Sequence, residues 1–194
     1  MNDKSETPFL QQVLGDAWHT LPGVLQRHYG GVDGIDQGSL NVSIPILFRP
    51  FFYLLGLLGV LVAQTGTGFA TRVVRFQKDN RLFWQRSIAA PANKPVEFNS
   101  QWILNGGGEF TEFVNPLLGL RMVAHTGNHQ LRFEGRNFLL RLGRIQIPIP
   151  EWLALGHSEI VETAVNDSEF DMVFTLTHPL FGEIYRYWGR FSIV

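Results

Sequence analysis

Hydrophobic and polar residues alternate from Phe69 onward, with the period expected of strands that bury one face. Short turns such as "KDN" and "TGN" separate the alternating runs and favour antiparallel pairing of consecutive strands. The pattern predicts strands at 70–78, 82–90, 95–104, 108–115, 118–126, 129–134, 137–143, 157–165, 169–177 and 182–193. A twisted sheet of this size tends to curl or close, so we expect a curled sheet or an up-and-down barrel.

The first third of the chain has a helical pattern instead. Apolar residues recur at helical spacing between Leu10 and Ala17, and a second short helix is expected after Pro22. The glycine-rich stretch 30–38 is expected to be a loop. Residues 145–156 interrupt the later alternation, and their prolines suit a crossing loop.

The most apolar stretch is "ILFRPFFYLLGLLGVLVA", residues 46–63. Only residues 51–63 lack charge and proline, which is shorter than the roughly 20 residues of a membrane-spanning helix. The segment has no polar stripe, so we expect a buried helix covered on most sides. An interfacial anchor is the alternative, and a membrane span is the least favoured interpretation.

Together these patterns predict an α+β fold. N-terminal helices are followed by a long antiparallel meander that forms a curled sheet or barrel around the apolar helix. We expect a single domain over 1–194, with a helical part at 1–68 and the β meander at 69–194.

Composition narrows the function classes. A net charge of -1 gives no electrostatic footprint for nucleic acid. The absence of cysteine excludes disulfides and thiolate chemistry. The opening "MNDKSETPF" lacks the pattern of a secretory signal, so we expect a cytoplasmic protein or one associated with a membrane surface. Aromatic residues make up 13% of the chain, which favours a large apolar interior or a lined cavity.

Several polar residues share a strand face with apolar neighbours. Strand alternation places Arg86 with Trp84, Glu112 with Phe110, and His178 in line with a run of apolar residues. Tyr185 and Tyr187 share the inner face of the last strand. A charge on an apolar face needs a partner, so we expect Arg86 to pair with Glu112, with His178 or Tyr187 completing the hydrogen bonds.

Two interpretations of this cluster stay open. A buried ion pair could fix the register of the sheet, or a polar spot in an apolar pocket could orient a ligand. His28, beside Tyr29, is either a helix-end cap or a further site residue. The candidate ligand-binding residues are Trp84, Arg86, Glu112, His178, Tyr185, Tyr187 and His28.

Other site chemistry has little support. No pair of His, Asp or Glu has metal-ligand spacing on one element, so we expect no metal and no cofactor. The chain has no G-x-S-x-G nucleophile motif, and its glycine-rich pieces lack the setting of a phosphate loop.

Several short motifs follow one another in an order that resembles a known family. They are "LPGVLQRHY" (21–29), "FWQRS" (83–87), "GGGEFTEFVNPLLGLRM" (106–122), "IPIPEWLA" (147–154) and "HPLFGEIYRYWGRF" (178–191). Together they resemble a bacterial family known as domain of unknown function 4166, whose members stand alone or are fused behind a saccharopine-dehydrogenase-like domain. The resemblance highlights His28, Trp84, Arg86, Glu112, Gly182, Tyr187 and Gly189, and it implies no assigned activity. The very apolar segment 51–63 departs from the family pattern.

Our leading hypothesis is a binding module for a hydrophobic small molecule or lipid, held in a barrel-like cavity. A first alternative is an enzyme in which Glu112 or His178 acts as acid or base and Arg86 holds an anionic group. A second alternative is a non-catalytic interaction domain. It would contact a membrane surface peripherally through residues 46–63, or stand beside a dehydrogenase-like partner.

Overall fold

The computed structural model describes residues 7–31, 33–89 and 95–194, and β-strands dominate them. Their strands are β1 (Asp33–Ser43), β2 (Gly66–Lys78), β3 (Arg81–Ala89), β4 (Val96–Gly106), β5 (Glu109–Phe113), β6 (Leu118–Gly127), β7 (Gln130–Leu142), β8 (Ile145–Ile149), β9 (His157–Ala164), β10 (Glu169–His178) and β11 (Gly182–Ile193). Their α-helices are α1 (Phe9–Leu14), α2 (Gly23–Gly30) and α3 (Arg49–Leu57). Short 3₁₀ helices lie at Gly15–Thr20, Ile46–Phe48 and Glu151–Leu153.

The strands form a closed barrel. Each strand from β1 to β7 pairs antiparallel with the next, and β7 pairs through its first half with β9. β10 and β11 continue the meander, and β11 pairs with β1 to close a ring of ten strands in the described part of the chain. β8 lies outside this ring and pairs with the second half of β7. The predicted class, N-terminal helices followed by an antiparallel barrel, is confirmed.

One end of the barrel, here called the helical end, is filled by α1 and α2. Phe9 of α1 packs with its ring centroid 6.1 Å from Trp102 and 5.9 Å from Phe110. Tyr29 of α2 stacks on Trp102 at 6.1 Å. The turns at this end are 79–80, 107–108, 128–129 and 165–168. Aromatic side chains from the helices and strands therefore seal this end from solvent.

The opposite end, here called the α3 end, is closed less completely. α3 lies there with the connections 114–117, 150–156 and 179–181. Phe52 is buried against Tyr185, with ring centroids 5.1 Å apart, but Tyr53 and Leu57 are 64% and 67% exposed. The expectation that the sheet wraps a buried helix at 46–63 is therefore wrong. The helix has only nine residues, and one row of side chains reaches the core.

A further finding concerns membrane crossing. None of the helices in residues 7–31, 33–89 and 95–194 is long and apolar enough to span a membrane.

Strand β1 occupies part of the stretch expected to be a loop, so the helical part is not continuous over 1–68. Its glycines have a packing reason: a Cβ on Gly34 would collide with the guanidinium of Arg75, and one on Gly38 with the backbone of Arg190. Glycine allows the side chain and backbone of the adjacent strands to approach β1 closely. The same glycines suggested a loop when only the sequence was considered.

The meander also differs from prediction around β7. The predicted strands 129–134 and 137–143 form this single strand, which has a bulge where Arg121 pairs with Asn137 and Met122 with Gly135. The bulge shifts the alternation of inward and outward residues by one position. In the sequence this shift resembles the boundary between two strands. Part of the expected crossing loop is the strand β8. The predicted end of one strand at Ala90 lies outside the described residues.

Candidate functional site

The barrel encloses a cavity of about 450 Å³ between the helical end and the α3 end. Its walls come from the inward-facing residues of the strands, from α2 and from α3 with the turn that follows it. The apolar wall residues include Val73, Ile88, Leu120, Phe133, Ile160 and Phe174. The volume lies in the range of roughly 300–1,000 Å³ that is typical of small-molecule sites. Residues 46–63 do not fill this space, although Phe51, Leu55 and Val60–Val62 line it.

A polar cluster lies on the cavity wall where β3, β4 and β5 run side by side. An Arg86 guanidinium nitrogen donates to Ser100 Oγ at 2.9 Å, and Ser100 Oγ donates to Glu112 Oε1 at 2.6 Å. A second guanidinium nitrogen of Arg86 lies 3.6 Å from the same carboxylate oxygen. The predicted pairing of Arg86 with Glu112 is confirmed, and Ser100 bridges the two. The Arg86 guanidinium also lies 5.1 Å from the ring centroids of both Trp84 and Phe98, which fixes its orientation.

Tyr187 lines the same cavity from β11. Burial raises the pKa of its hydroxyl to about 12, although the nearby Arg86 charge opposes the rise and Glu112 adds to it. The hydroxyl is therefore protonated at neutral pH and remains a hydrogen-bond donor. It makes no hydrogen bond to the described residues. Tyr187 thus has a donor available to a molecule in the cavity.

A second polar cluster lies toward the helical end. Asp36, only 1% exposed, accepts a hydrogen bond of 2.7 Å from Arg75 and lies 3.2 Å from His28 Nδ1. The His28 ring also packs against Phe170, with centroids 4.5 Å apart. His28 is thus a buried cavity residue and not a solvent-facing helix cap, and it contacts the cavity together with Asp36.

Glu162 adds a third carboxyl group to the interior. It is 3% exposed, and its Oε1 accepts a hydrogen bond of 2.9 Å from the Tyr29 hydroxyl. Burial raises the pKa of Glu162, and this effect exceeds the opposing influence of His28 and of the Tyr29 hydrogen bond. Its Oε2 has no hydrogen-bond partner among residues 7–31, 33–89 and 95–194. The environment therefore favours the neutral acid.

Two indole nitrogens are also buried without a hydrogen-bond partner in the described residues. Trp84 Nε1 and Trp102 Nε1 are buried, and neither donates a hydrogen bond to the part of the chain that the structure describes. Both side chains line the cavity, and their rings lie 5.2 Å apart. Buried donors are usually satisfied by protein, water or ligand. Trp84, one of the residues predicted from the sequence, thus lies in the cavity wall.

His178 and Tyr185 are not brought to this site. His178 lies at the end of β10, where its Nε2 contacts the Trp152 carbonyl at 3.0 Å and its ring stacks on Phe181. The expectation that His178 completes the hydrogen bonds of Arg86 and Glu112 is wrong, because the strand carries it past the inner wall to the α3 end. Tyr185 is buried outside the cavity lining, and its hydroxyl donates to the Val62 carbonyl at 2.8 Å.

Sequence reasoning missed four interior polar residues. Ser100 and Glu162 could have been found, since alternation places them in phase with Trp102 and Ile160 on their own strands. Asp36 was hidden because its strand was interpreted as a loop. Its partner, Arg75, lies in β2, where both faces carry apolar residues, as the stacked Phe76 and Phe83 rings on the other face illustrate.

The chemical groups of the interior are mostly apolar. No group of three or more His, Asp or Glu in the described ranges is arranged to hold a metal ion. Of the two alternative acid–base residues of the enzyme hypothesis, Glu112 lines the cavity and His178 lies at the α3 end. What the interior offers chemically is an apolar space with a few hydrogen-bonding groups on its wall.

Comparison with known proteins identifies the family of the chain. No curated protein and no solved structure shows significant similarity to the chain. A family model, however, matches residues 21–191, which is most of the chain and includes the motifs named above. The chain therefore belongs to the family described as Domain of unknown function (DUF4166).

Proposed function

We propose that this protein binds a hydrophobic small molecule or lipid inside the barrel. The observation that carries the proposal is the cavity of about 450 Å³, whose wall is largely apolar. Native protein interiors are otherwise packed at the density of organic crystals, so a space of this size is a costly feature without an occupant.

The position of the polar groups supports ligand binding over simple core packing. Arg86, Glu112 and Tyr187 all lie on the cavity wall. An apolar space with a few convergent polar groups is the common composition of a small-molecule site. The apolar wall would supply affinity, and the polar cluster would set the orientation of the ligand.

The first experiment is native mass spectrometry of protein purified without detergent, together with analysis of its organic extract. We expect a stoichiometric apolar compound, or uptake of one equivalent of an added neutral dye such as N-phenylnaphthylamine. Protein at bare chain mass that takes up no apolar compound would contradict the proposal.

A matched pair of variants locates the binding. Met172 lines the cavity, whereas the next residue along β10, Val173, faces the other side of the sheet. We expect Met172→Trp to weaken dye binding at least about tenfold because it fills the space, and Val173→Trp to leave the affinity unchanged. Equal effects of the two variants would place the dye outside the barrel.

A second candidate function is peripheral contact with a lipid surface at the α3 end. Exposed apolar side chains gather there from three separate segments, as Leu57, Trp152 at 63% and Leu180 at 81% exposure illustrate. Phe48 contacts Phe181 at 5.5 Å, and the His178 side chain contacts the Trp152 backbone, so the segments form one surface. Exposed apolar side chains that form one contiguous surface are typical of interaction sites.

The same surface adjoins the cavity. Phe51, Leu55 and Leu153 line the interior and belong to the segments that carry the exposed side chains. An apolar ligand could therefore pass between a lipid layer and the barrel with little exposure to water. Arg49 and Arg144 are exposed at the same end and would complement anionic headgroups.

Vesicle sedimentation tests this candidate. We expect the protein to sediment with vesicles of mixed neutral and anionic phospholipid, and the double variant Leu54→Glu/Leu57→Glu to remain in the supernatant. The control is Val165→Glu, which changes an exposed apolar side chain at the helical end and should leave sedimentation unchanged. Loss of sedimentation in the control as well would contradict a specific surface. Contact with a dehydrogenase-like partner stays a prediction.

A further inference from the structure

We propose that the bound molecule carries a hydroxyl group on an otherwise apolar, uncharged body, and that this hydroxyl accepts a hydrogen bond from Tyr187 and donates one to Glu112. The inference rests on the proposed function, since it names the class of ligand that the same cavity takes. It follows from which hydrogen-bonding atoms of the wall are already used and which are not.

The Arg86–Ser100–Glu112 cluster leaves one strong acceptor unused. Glu112 Oε1 accepts from Ser100 and lies near Arg86, whereas its Oε2 makes no hydrogen bond to the described residues. An ionised carboxylate only accepts hydrogen bonds, so a ligand group that engages Oε2 must supply a proton donor.

Tyr187 contributes the complementary atom. Tyr187 lines the same cavity as Arg86 and Glu112, and its hydroxyl proton is not donated to any described residue. The wall of this one cavity therefore presents both a donor and an acceptor. An alcohol hydroxyl can donate one hydrogen bond and accept another at the same oxygen, so it matches both.

Charge disfavours a carboxylate ligand at this position. The cations in and beside the cavity already face acidic partners, since Arg86 pairs with Glu112 and Arg75 with Asp36. The Asp36 carboxylate also contacts His28. An anionic head would therefore lose its hydration without gaining an unpaired cation.

The remaining wall of the cavity favours an apolar body for the ligand. Beyond these polar groups the wall consists of aliphatic and aromatic side chains from both ends of the barrel, including Leu55, Ile88, Leu120 and Phe174. The other unpaired polar atoms of lining residues, Trp84 Nε1, Trp102 Nε1 and Glu162 Oε2, are themselves buried beneath the surface of the wall. A second polar group on the ligand would therefore lie against apolar side chains and would be costly to bury.

The test compares ligands that share a chain and differ only in the head. Displacement of N-phenylnaphthylamine is measured for lauryl alcohol, lauryl methyl ether, laurate and dodecane at a pH where laurate is ionised. We expect the alcohol to bind at least about tenfold more tightly than laurate, because a site with satisfied charges rejects an added one. The ether, which accepts but cannot donate, should fall between the alcohol and dodecane.

Variants assign the contacts. Tyr187→Phe should weaken alcohol binding about tenfold and leave dodecane binding unchanged, because only the hydroxyl contact is removed. The control is Tyr185→Phe, the same change two residues away at a position outside the cavity lining, which should leave the alcohol affinity unchanged. This pair keeps the test valid even if Glu112→Gln fails to fold.

The outcomes separate the inference from the proposed function. Laurate binding as tightly as the alcohol, or Tyr187→Phe weakening all four ligands equally, would overturn the hydroxyl assignment and leave the binding barrel in place. Failure of the wild-type protein to bind the dye or any of the four compounds would overturn both.

Discussion

The two ends of the barrel close the same ring of strands in different ways. At the helical end, Phe9 and Tyr29 pack into an aromatic cluster with Trp102, Phe110 and side chains of the neighbouring strands. At the α3 end, a short helix contributes one fully buried ring, Phe52, and leaves Tyr53, Leu54 and Leu57 exposed to solvent. We therefore expect the stabilising core contacts to be concentrated at the helical end, and the α3 end to open more easily.

The largest effect should come from truncating an aromatic ring at the helical end. Phe110→Ala removes a fully buried side chain in contact with Phe9 and Trp102, so we expect a loss of about 3–5 kcal/mol in the free energy of unfolding. The matched change at the α3 end, Leu54→Ala, should stay within about 0.5 kcal/mol because the side chain is exposed. Urea denaturation of both variants measures the difference. Similar losses at the two positions would break the comparison.

The next largest effect concerns the two polar clusters. We expect the cluster toward the helical end to contribute more to stability than the one nearer the α3 end. Asp36→Asn, toward the helical end, leaves the buried Arg75 without its carboxylate partner, and we expect a loss of about 3 kcal/mol. Glu112→Gln, nearer the α3 end, should cost about 1–2 kcal/mol, because Arg86 reaches the cavity and keeps its bond to Ser100.

The control for both substitutions is Asp171→Asn. Asp171 forms a two-point contact with Arg190 on the exposed face of the barrel. Exposed pairs contribute little, so its denaturation midpoint should not move measurably. If Glu112→Gln proved as damaging as Asp36→Asn, the cluster near the α3 end would be a structural element and not a recognition surface.

The smallest effect is a change in pH dependence at Glu162. Because burial raises the pKa of this group in the folded state, its contribution to stability is complete below the ordinary carboxyl pKa and is lost as pH rises through the raised value. Glu162→Gln is neutral throughout, so the wild-type protein should lose stability relative to this variant as the pH increases. The groups around Glu162 are Tyr29, His28, Asp36 and Arg75.

Urea unfolding of wild-type and Glu162→Gln protein over a series of pH values measures this difference. The residues that surround Glu162 are the same in both proteins, so their titration cancels in the comparison. Parallel stability curves would show that Glu162 keeps an ordinary pKa in the folded protein.

Much of the barrel could be predicted because alternation is a local property. Most strands from β2 onward, apart from β8 and the undivided β7, follow from the inward phase of residues such as Trp84 and Phe170. The pairing of Arg86 with Glu112 follows from the cost of an unpaired buried charge. The sequence could not show that β1 is a strand. Its glycines are explained only by the neighbours that approach them.

The position of residues 46–63 could not be predicted for a different reason. Hydrophobicity indicates that a segment avoids water, but it does not say which surface covers it. α1 and α2 occupy the helical end, so α3 lies at the opposite end. Nothing in the residue pattern of α3 itself indicates this. His178 was misplaced on similar grounds: alternation gave its face correctly, but not the point at which β10 leaves the inner wall.

The pairing of β11 with β1 has a consequence for how the protein folds. Partners such as Asp36 and Ile193 lie far apart in the sequence, so the seam between these strands can form only after the intervening meander has been made. Until then, both strands present unpaired backbone groups that could join another copy of the chain. We therefore expect ring closure to be a late and slow event, and variants that weaken the seam to aggregate during synthesis even when the finished barrel is stable.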